Sequence, residues 1–157
     1  MRAYRGNGYR VLFDVVREPD SNQAPETQVL MARCIVRHFR ALQRVGLVPN
    51  GREAFCAVLL DSRHRTIGFH VISIGTLNSS SVHPREVFRA AIMIGAAAMV
   101  VGHNHPSGDC TPSGEDQRVT ERLREVGQLV GIEMLDHVVI GSTRFYSFAS
   151  GQQEAIE

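Results

Sequence analysis

A short apolar run at residues 96–101, Ala-Ala-Ala-Met-Val-Val, constrains the fold of this chain more than any other segment. Its length and the glycine that closes it, Gly102, predict a buried strand. His103 and His105 follow at the end of that strand. Because side chains two apart on a strand point the same way, both imidazoles can reach one metal ion at about 2.0–2.1 Å, the usual Zn–N distance.

A third ligand must come from farther along the chain, and Asp116 is the candidate. Residues 106–113 are rich in proline, serine and glycine, which indicates a tight loop, and a helical pattern then begins at Ser113. Taken alone, Ser113 and Asp116 favour a capping box, in which the hydroxyl and the carboxylate bind free N–H groups of the helix. Next to two histidines at strand spacing, they indicate a zinc hydrolase.

The combined pattern His-x-His-Pro and Ser-x-x-Asp resembles the JAMM signature of the JAB/MPN metallopeptidases. Further segments resemble the RadC-like branch of that family, in the same order along the chain: residues 75–77, 82–89, 103–109 and 135–137. The resemblance covers about residues 51–150. RadC-like proteins commonly carry an N-terminal helix-hairpin-helix region, and residues 1–50 show no such pattern. The chain therefore resembles a short form, which weakens an inference of DNA binding.

The resemblance implies a Zn²⁺ ion held by His103, His105 and Asp116, with a fourth position open to a water whose pKa the metal lowers. A glutamate close to the metal would serve as general base and then as general acid, and Glu53 matches the family's position. Glu86 is the alternative, although an acidic side chain at a predicted helix start already has a reason to be there in the helix dipole.

Other residues near the motif have less specific expected roles. Ser113 is expected to donate to the oxyanion of the reaction, a role that can coexist with capping. Asn104 points away from the two histidines, so packing or loop hydrogen bonding is predicted for it. Cys110 is unusual, because RadC-like sequences usually have proline near this position, and a thiolate so close to the motif could ligate zinc. Asp136 and His137 match a family segment and would orient ligands, contact substrate or pack in the core.

Composition bounds the class of protein. The chain has 157 residues and a formal net charge of +1, which predicts one domain with its own core and argues against strong nonspecific binding of nucleic acid. Cys34 and Cys56 lie in apolar patterns and are expected to be buried free thiols, as in a reducing cytoplasm. No apolar stretch predicts a signal peptide or a membrane span.

Periodicity predicts an α/β fold. The resemblance to the RadC-like family implies a mixed sheet with helices packed on its faces and the metal loop at one edge. We expect residues 1–50 to form a strand and a helix that pack on or lead into the domain, residues 51–150 the RadC-like JAB/MPN catalytic domain, and residues 151–157 a frayed polar tail. Strands are predicted at 9–16, 53–60, 66–74, 134–140 and 144–148, and helices at 26–44, 84–94 and from Ser113 to a cap at Gly131. The apolar stripe of this last helix is predicted to comprise Val119, Leu123, Val126, Leu129 and Val130.

The predicted function is that of a zinc metallopeptidase, which hydrolyses a peptide or isopeptide bond of a peptide or protein substrate by attack of zinc-bound hydroxide. Two alternatives stay open: a DNA-repair-associated RadC-like accessory protein, and a non-catalytic MPN binding module. The arginines of the predicted helix 26–44 form a modest basic face that a solvated surface explains more simply than a nucleic-acid contact. The contiguous His-Asn-His is not the dispersed motif of HNH nucleases, and the Pro-Cys-x-x-Cys of zinc deaminases is missing.

Overall fold

The structure is a computed structural model that describes residues 4–6, 9–11, 28–75 and 82–156. The described residues form eight strands and three helices. In chain order these are β1 (Tyr4–Gly6), β2 (Tyr9–Val11), α1 (Gln28–Arg44), β3 (Glu53–Leu60), β4 (Thr66–Gly75), α2 (Pro84–Ile94), β5 (Ala98–Asn104), α3 (Gly114–Val130), β6 (Glu133–Ile140), β7 (Arg144–Ser147) and β8 (Gln152–Ala155).

Six of the strands form one mixed sheet in the order β4-β3-β5-β6-β7-β8, and β1 and β2 form a separate antiparallel pair. Within the six-stranded sheet only β5 and β6 are parallel. A parallel pair cannot be joined by a tight turn, and α3 supplies the long connection between these two strands. The predicted α/β fold with a mixed sheet is confirmed.

Side chains alternate between the two faces of the sheet along each strand. Helices cover both faces. One buried cluster joins α1, through Ile35 and Phe39 among others, to alternate residues of β3, β5 and β6. The other cluster joins α2 and α3, through Phe88 and Leu123 among others, to the remaining residues of those strands. The apolar run of β5 is thus buried from both sides, as its composition predicts, with Val101 fully buried.

Most predicted elements are confirmed, with differences at their ends. β3 and α2 have the predicted bounds, and the buried strand begins at Ala98 and continues through His103 to Asn104. Residues 12–16 of the predicted first strand and residues 26–27 of the predicted first helix lie outside the described residues. The tail that was expected to fray instead forms β8, whose Gln152–Ala155 pairs with β7. Its residues are mostly exposed and polar and carry no hydrophobic pattern, so the sequence gives no signal for the backbone pairing with β7.

The buried face of α3 differs from the predicted apolar stripe at its C-terminal end. Asp116, Thr120, Leu123 and Gly127 are buried, whereas the side chain of Leu129, predicted to be in the stripe, is 86% exposed. Two residues turn a helix by about 200°, so Leu129 lies opposite Gly127 and faces away from the sheet. Val130, also predicted in the stripe, is exposed as well.

Two arginines of α1 bind the C-terminal part of the chain. Arg33 forms an ion pair with Glu154 at 3.6 Å, and Arg40 Nη2 donates to the carbonyl oxygen of Ser142 at 2.6 Å. These contacts connect α1 to β8 and to the turn between β6 and β7. Among the described residues, none of the helices combines the length and apolar character that crossing a membrane requires.

Candidate metal centre

His103 and His105 lie at the C-terminal end of β5, where a parallel strand pair leaves its carboxyl edge open. His103 is the penultimate residue of β5 and is 1% exposed, and His105 is the first residue after the strand. Their Nε2 atoms lie 3.1 Å apart. The two imidazoles therefore converge on one point, as their spacing along the strand predicts.

Asp116 reaches the same point from the first turn of α3. Its Oδ1 lies 3.0 Å from His103 Nε2, and its Oδ2 lies 3.5 Å from His105 Nε2. The loop of residues 105–113 folds back so that the helix begins beside the end of the strand. The structure thus brings together the three residues that the sequence singled out.

The donor set fits a zinc ion. Ligands about 2.0–2.1 Å from a tetrahedral zinc would be roughly 3.3 Å from one another, close to the separations observed here. One ligand atom from each of His103, His105 and Asp116 lies within 4.8 Å of the others. No other group of three or more such side chains comes together in the described ranges. Cys110 is buried and lies outside this group, so the structure does not support a thiolate ligand.

Ser113 holds Asp116 in place through a capping box. The serine N–H and hydroxyl both donate to Asp116 Oδ2, at 2.6 and 2.7 Å, and the serine oxygen accepts from the Asp116 N–H at 3.2 Å. Two donors on Oδ2 leave Oδ1 to face His103. The capping explanation is confirmed, whereas the oxyanion role of Ser113 stays a prediction, because here its hydroxyl proton is given to Asp116.

The site holds a carboxylate that stays ionised beside two imidazoles, as a centre that binds a cation requires. Burial raises the pKa of Asp116, but hydrogen bonds to His103, His105 and Ser113 outweigh it and keep that pKa far below its usual range. A hydrogen bond to Asp116 raises the pKa of His105. The carboxylate is therefore ionised throughout the physiological range.

A backbone carbonyl orients His105. The ring Nδ1 lies 2.8 Å from the carbonyl oxygen of Asp109, which can only accept, so Nδ1 carries the proton. The neutral ring that would bind a metal then has its lone pair on Nε2, the atom that faces His103 and Asp116.

A second buried histidine contacts His103 from behind. His137 Nε2 lies 2.9 Å from His103 Nδ1, and His137 Nδ1 lies 2.6 Å from Thr120 Oγ1. The Thr120 hydroxyl donates to the carbonyl oxygen of Asp116 at 2.6 Å. Of the roles left open for His137, the structure supports orientation of a candidate metal ligand, because His137 contacts His103. Sequence reasoning missed Thr120, whose only signal is its place one helical turn after Asp116.

Asp136 and Phe148 fix the position of His137. Asp136 accepts hydrogen bonds from Ser147 Oγ at 2.6 Å and from the Ala149 N–H at 2.9 Å, which holds the turn after β7. Burial raises the pKa of Asp136. The turn carries Phe148, whose ring stacks on His137 with centroids 5.1 Å apart.

Glu53 begins β3, the strand next to β5. Phe55 pairs with His103, so continuing the register by two residues brings Glu53 opposite His105, on the same face of the sheet. The negative charge of Glu53 contributes to the raised pKa of His105. Asn104 holds this segment: its Oδ1 accepts from the Ala54 N–H at 2.8 Å, and its Nδ2 donates to the Arg52 carbonyl at 2.9 Å. The bonding role predicted for Asn104 is thus confirmed.

Glu86 has different surroundings. It lies in the first turn of α2, where its carboxylate pairs with Arg85 and Arg89 at 3.2 Å. Burial lowers the pKa of His70, and the negative charge of Glu86 opposes this effect. The charges that raise the pKa of His105 are those of Asp116 and Glu53. These contacts agree with the helix-start explanation for an acidic residue here.

Comparison with known proteins gives consistent matches. A family model described as a RadC-like JAB domain matches residues 29–154. A UPF0758 protein of Desulforamulus reducens is 54% identical over 99 residues, which are 63% of this chain and 44% of that protein. A UPF0758 protein of Desulforudis audaxviator is 52% identical over 96 residues, which are 61% of this chain and 42% of that protein. One of Methanosarcina acetivorans is 44% identical over 114 residues, which are 73% of this chain and 50% of that protein. The matched segment spans half or less of the length of these relatives.

Proposed function

The chain belongs to the RadC-like JAB domain family, and from that premise we propose that it is a zinc-dependent metallopeptidase that hydrolyses peptide or isopeptide bonds. The observation that carries the proposal is the convergence of His103, His105 and Asp116 at 3.0–3.5 Å from one another. Three protein ligands, with one position left for water or substrate, are the usual set of a catalytic zinc.

The zinc, when bound, lowers the pKa of a coordinated water and polarises the substrate carbonyl. The protein supplies the remaining functions. The two imidazoles and the carboxylate hold the ion, each fixed by a hydrogen bond on its far side. Phe55 stacks on His103, with centroids 5.9 Å apart, and keeps solvent away from the back of the site.

Glu53 is the proposed general base and acid. Its carboxylate takes the proton of the attacking water and returns it to the leaving amine. Support comes from its place on the face of the sheet that carries the histidines and from its effect on His105. Ser113 is the proposed donor to the oxyanion, for which its hydroxyl would have to turn away from Asp116 Oδ2.

We propose a peptide or protein substrate, the class that the resemblance to the JAB/MPN metallopeptidases implies. A reducing cytoplasm is the proposed compartment, which the free state of Cys34, Cys56 and Cys110 supports. The absence of disulfides among these cysteines is typical of that compartment.

The test compares metal content with hydrolysis. Protein purified without added metal is assayed for zinc by elemental analysis, as wild type and as His105→Ala and Asp116→Ala. The same preparations are incubated with a complex peptide mixture, and cleavage is followed by mass spectrometry. Glu53→Gln tests the base, and Glu86→Gln is the matched control at the alternative position.

We expect about one zinc per wild-type chain, lost in both ligand variants. Glu53→Gln should keep its zinc and lose cleavage, and Glu86→Gln should keep both. A folded wild type without zinc contradicts the metal site. Zinc without any cleavage contradicts the peptidase and favours a binding module, and cleavage by Glu53→Gln contradicts the assignment of the base.

A further inference from the structure

A chain of four buried groups runs from the backbone of α3 to the back of His103. We infer that Thr120 and His137 are positioning residues that hold the proton of His103 on Nδ1, so that Nε2 presents a lone pair to the metal. The inference rests on the proposed metal site and assigns a role to two residues that do not themselves bind metal.

The first link fixes the direction of the chain. The Asp116 carbonyl oxygen can only accept, so the single hydroxyl proton of Thr120, 2.6 Å away, is donated to it. Thr120 Oγ1 is then an acceptor towards His137. A 2.6 Å contact between Oγ1 and His137 Nδ1 therefore requires the proton on Nδ1.

The second link carries this direction to the metal ligand. A neutral His137 with its proton on Nδ1 has a lone pair on Nε2, so it accepts from His103 Nδ1 at 2.9 Å. The proton of His103 must then be on Nδ1. Its Nε2 faces Asp116 Oδ1 at 3.0 Å, so a proton joins these two atoms in the metal-free protein, and a metal would take the place of that proton.

Burial of these groups fixes the direction of the hydrogen bonds. His137 is fully buried, Thr120 is 2% exposed and His103 is 1% exposed, so water cannot satisfy a ring nitrogen that points the wrong way. An unpaired buried donor costs about 1–3 kcal/mol. The rings of Phe55 and Phe148 contact His137, at 5.4 and 5.1 Å between centroids, and prevent it from turning over.

The chain also explains why His103 needs a partner that His105 does not. His105 lies in the loop, where the Asp109 carbonyl reaches its Nδ1 directly. His103 lies within the sheet, where the carbonyls of β5 are engaged in strand pairing. The parallel pairing of β5 with β6 supplies His137 instead, and α3 supplies Thr120.

Removal of the Thr120 hydroxyl should reverse the direction of the chain. In Thr120→Val the Nδ1–H of His137 has no acceptor, and the ring recovers a hydrogen bond by moving its proton to Nε2. It then donates to His103 Nδ1, so the remaining proton of His103 is on Nε2, and a metal could displace that proton only by leaving an imidazolate. Thr120→Ser keeps the hydroxyl and should keep the wild-type direction.

The first measurement uses metal-free protein and needs no substrate. Long-range ¹H–¹⁵N correlation spectra of histidine-labelled protein report which ring nitrogens carry protons. Wild type and Thr120→Ser should show Nδ1–H at both His103 and His137. In Thr120→Val, His103 should shift towards the Nε2–H form.

The second measurement is zinc affinity by chelator competition. We expect Thr120→Val and His137→Phe to bind zinc roughly 10- to 100-fold more weakly, the usual loss when the partner of a metal-bound histidine is removed. His137→Gln, whose amide oxygen can accept from His103, should recover part of the affinity. Leu123→Val loosens the same helix without removing a hydrogen bond, so it should leave both the affinity and the spectra unchanged.

Two results would overturn the inference: the absence of a proton on Nδ1 of His103 in the metal-free wild type, or wild-type zinc affinity in Thr120→Val. Equal losses in Leu123→Val would also overturn it, because they would reduce the effect to helix stability. A wild type that binds no zinc ends the proposed function, whereas the spectra of metal-free protein still decide the direction of the chain.

Discussion

Each of the three candidate ligands uses one polar atom at the metal position and a second one to bind the protein. His103 and His105 do so through Nδ1, and Asp116 does so through Oδ2. Because these atoms are buried or half-buried, an unpaired one would cost about 1–3 kcal/mol. The far-side hydrogen bonds therefore stabilise the fold and select the orientation that faces a metal.

Cys34 and His38 form a separate pair on α1. Cys34 Sγ lies 3.6 Å from His38 Nδ1 and 3.7 Å from Thr66 Oγ1. Burial raises the pKa of the Cys34 thiol, but the hydrogen bonds to His38 and Thr66 outweigh it and the net pKa is lowered. Burial raises the pKa of Cys56 with nothing to oppose it.

We therefore predict that iodoacetamide alkylates Cys34 of the native protein in preference to Cys56. A lowered pKa means that the thiolate fraction rises at lower pH, so the rate profile of Cys34 should have its midpoint below that of an ordinary thiol. Mass spectrometry of the alkylated peptides over a pH series measures it. His38→Phe keeps the ring that stacks on Phe69 and removes the hydrogen bond, so its midpoint should rise. An unchanged midpoint in that variant would contradict the explanation.

At the scale of elements, the centre belongs to one β-α-β unit made of β5, α3 and β6. β5 and the residue that follows it place the two histidines at the C-terminal end of the strand, the N-terminus of α3 carries Asp116, and β6 carries His137. The close approach of α3 to the chain that follows it makes this arrangement possible. Gly127 lies at a close contact between the two, since a Cβ there would lie 2.6 Å from the carbonyl oxygen of Ile132.

We expect Gly127→Ala to destabilise the protein by about 1–3 kcal/mol, the usual cost of overpacking. Helix propensity alone predicts the opposite, a gain of up to about 1 kcal/mol. Gly114→Ala is the matched control on the same helix, because a Cβ there meets only Arg118 Nη1 at 3.8 Å. Urea unfolding of the three proteins gives the free energies. Equal stability of the two variants would show that the backbone at Ile132 yields without cost.

At the scale of the whole molecule, the two faces of the sheet differ, because only one of them carries the candidate metal centre. The face under α1 is apolar. Arg40 of α1 donates a hydrogen bond to the carbonyl oxygen of Ser142, in the turn between β6 and β7. The other face carries an apolar cluster at one end and the His-Asp centre at the other. A metal in that centre would join strand, loop and helix and so stabilise the fold as a unit.

Zinc at about one hundred times its dissociation constant should raise the melting temperature by roughly 5–10 °C, from a binding term of about 2.7 kcal/mol in a chain of this size. The shift should disappear after treatment with EDTA and return when zinc is added. Differential scanning calorimetry measures it, with Asp116→Ala as the control that shows no shift. An equal shift in that variant would place the stabilising zinc elsewhere.

Local patterns in the sequence were sufficient for much of this architecture. Alternation and short apolar runs predicted β3 and β5, and capping residues predicted the start of α3 at Ser113 and its end at Gly131. The spacing of His103 and His105 predicted their common direction. These features depend on residues within about one turn or one strand of each other, and backbone geometry alone relates such residues.

The sequence by itself therefore determined the elements, their caps and the identity of the candidate ligands. The tertiary structure decided the parallel pairing of β5 with β6, the face that α3 buries and the conversion of a polar tail into β8. It also brought His137 and Thr120 to the back of His103. Such contacts join residues 17 and 34 positions apart, and they form only because the packing of helices on both faces of the sheet selects one strand order and one register.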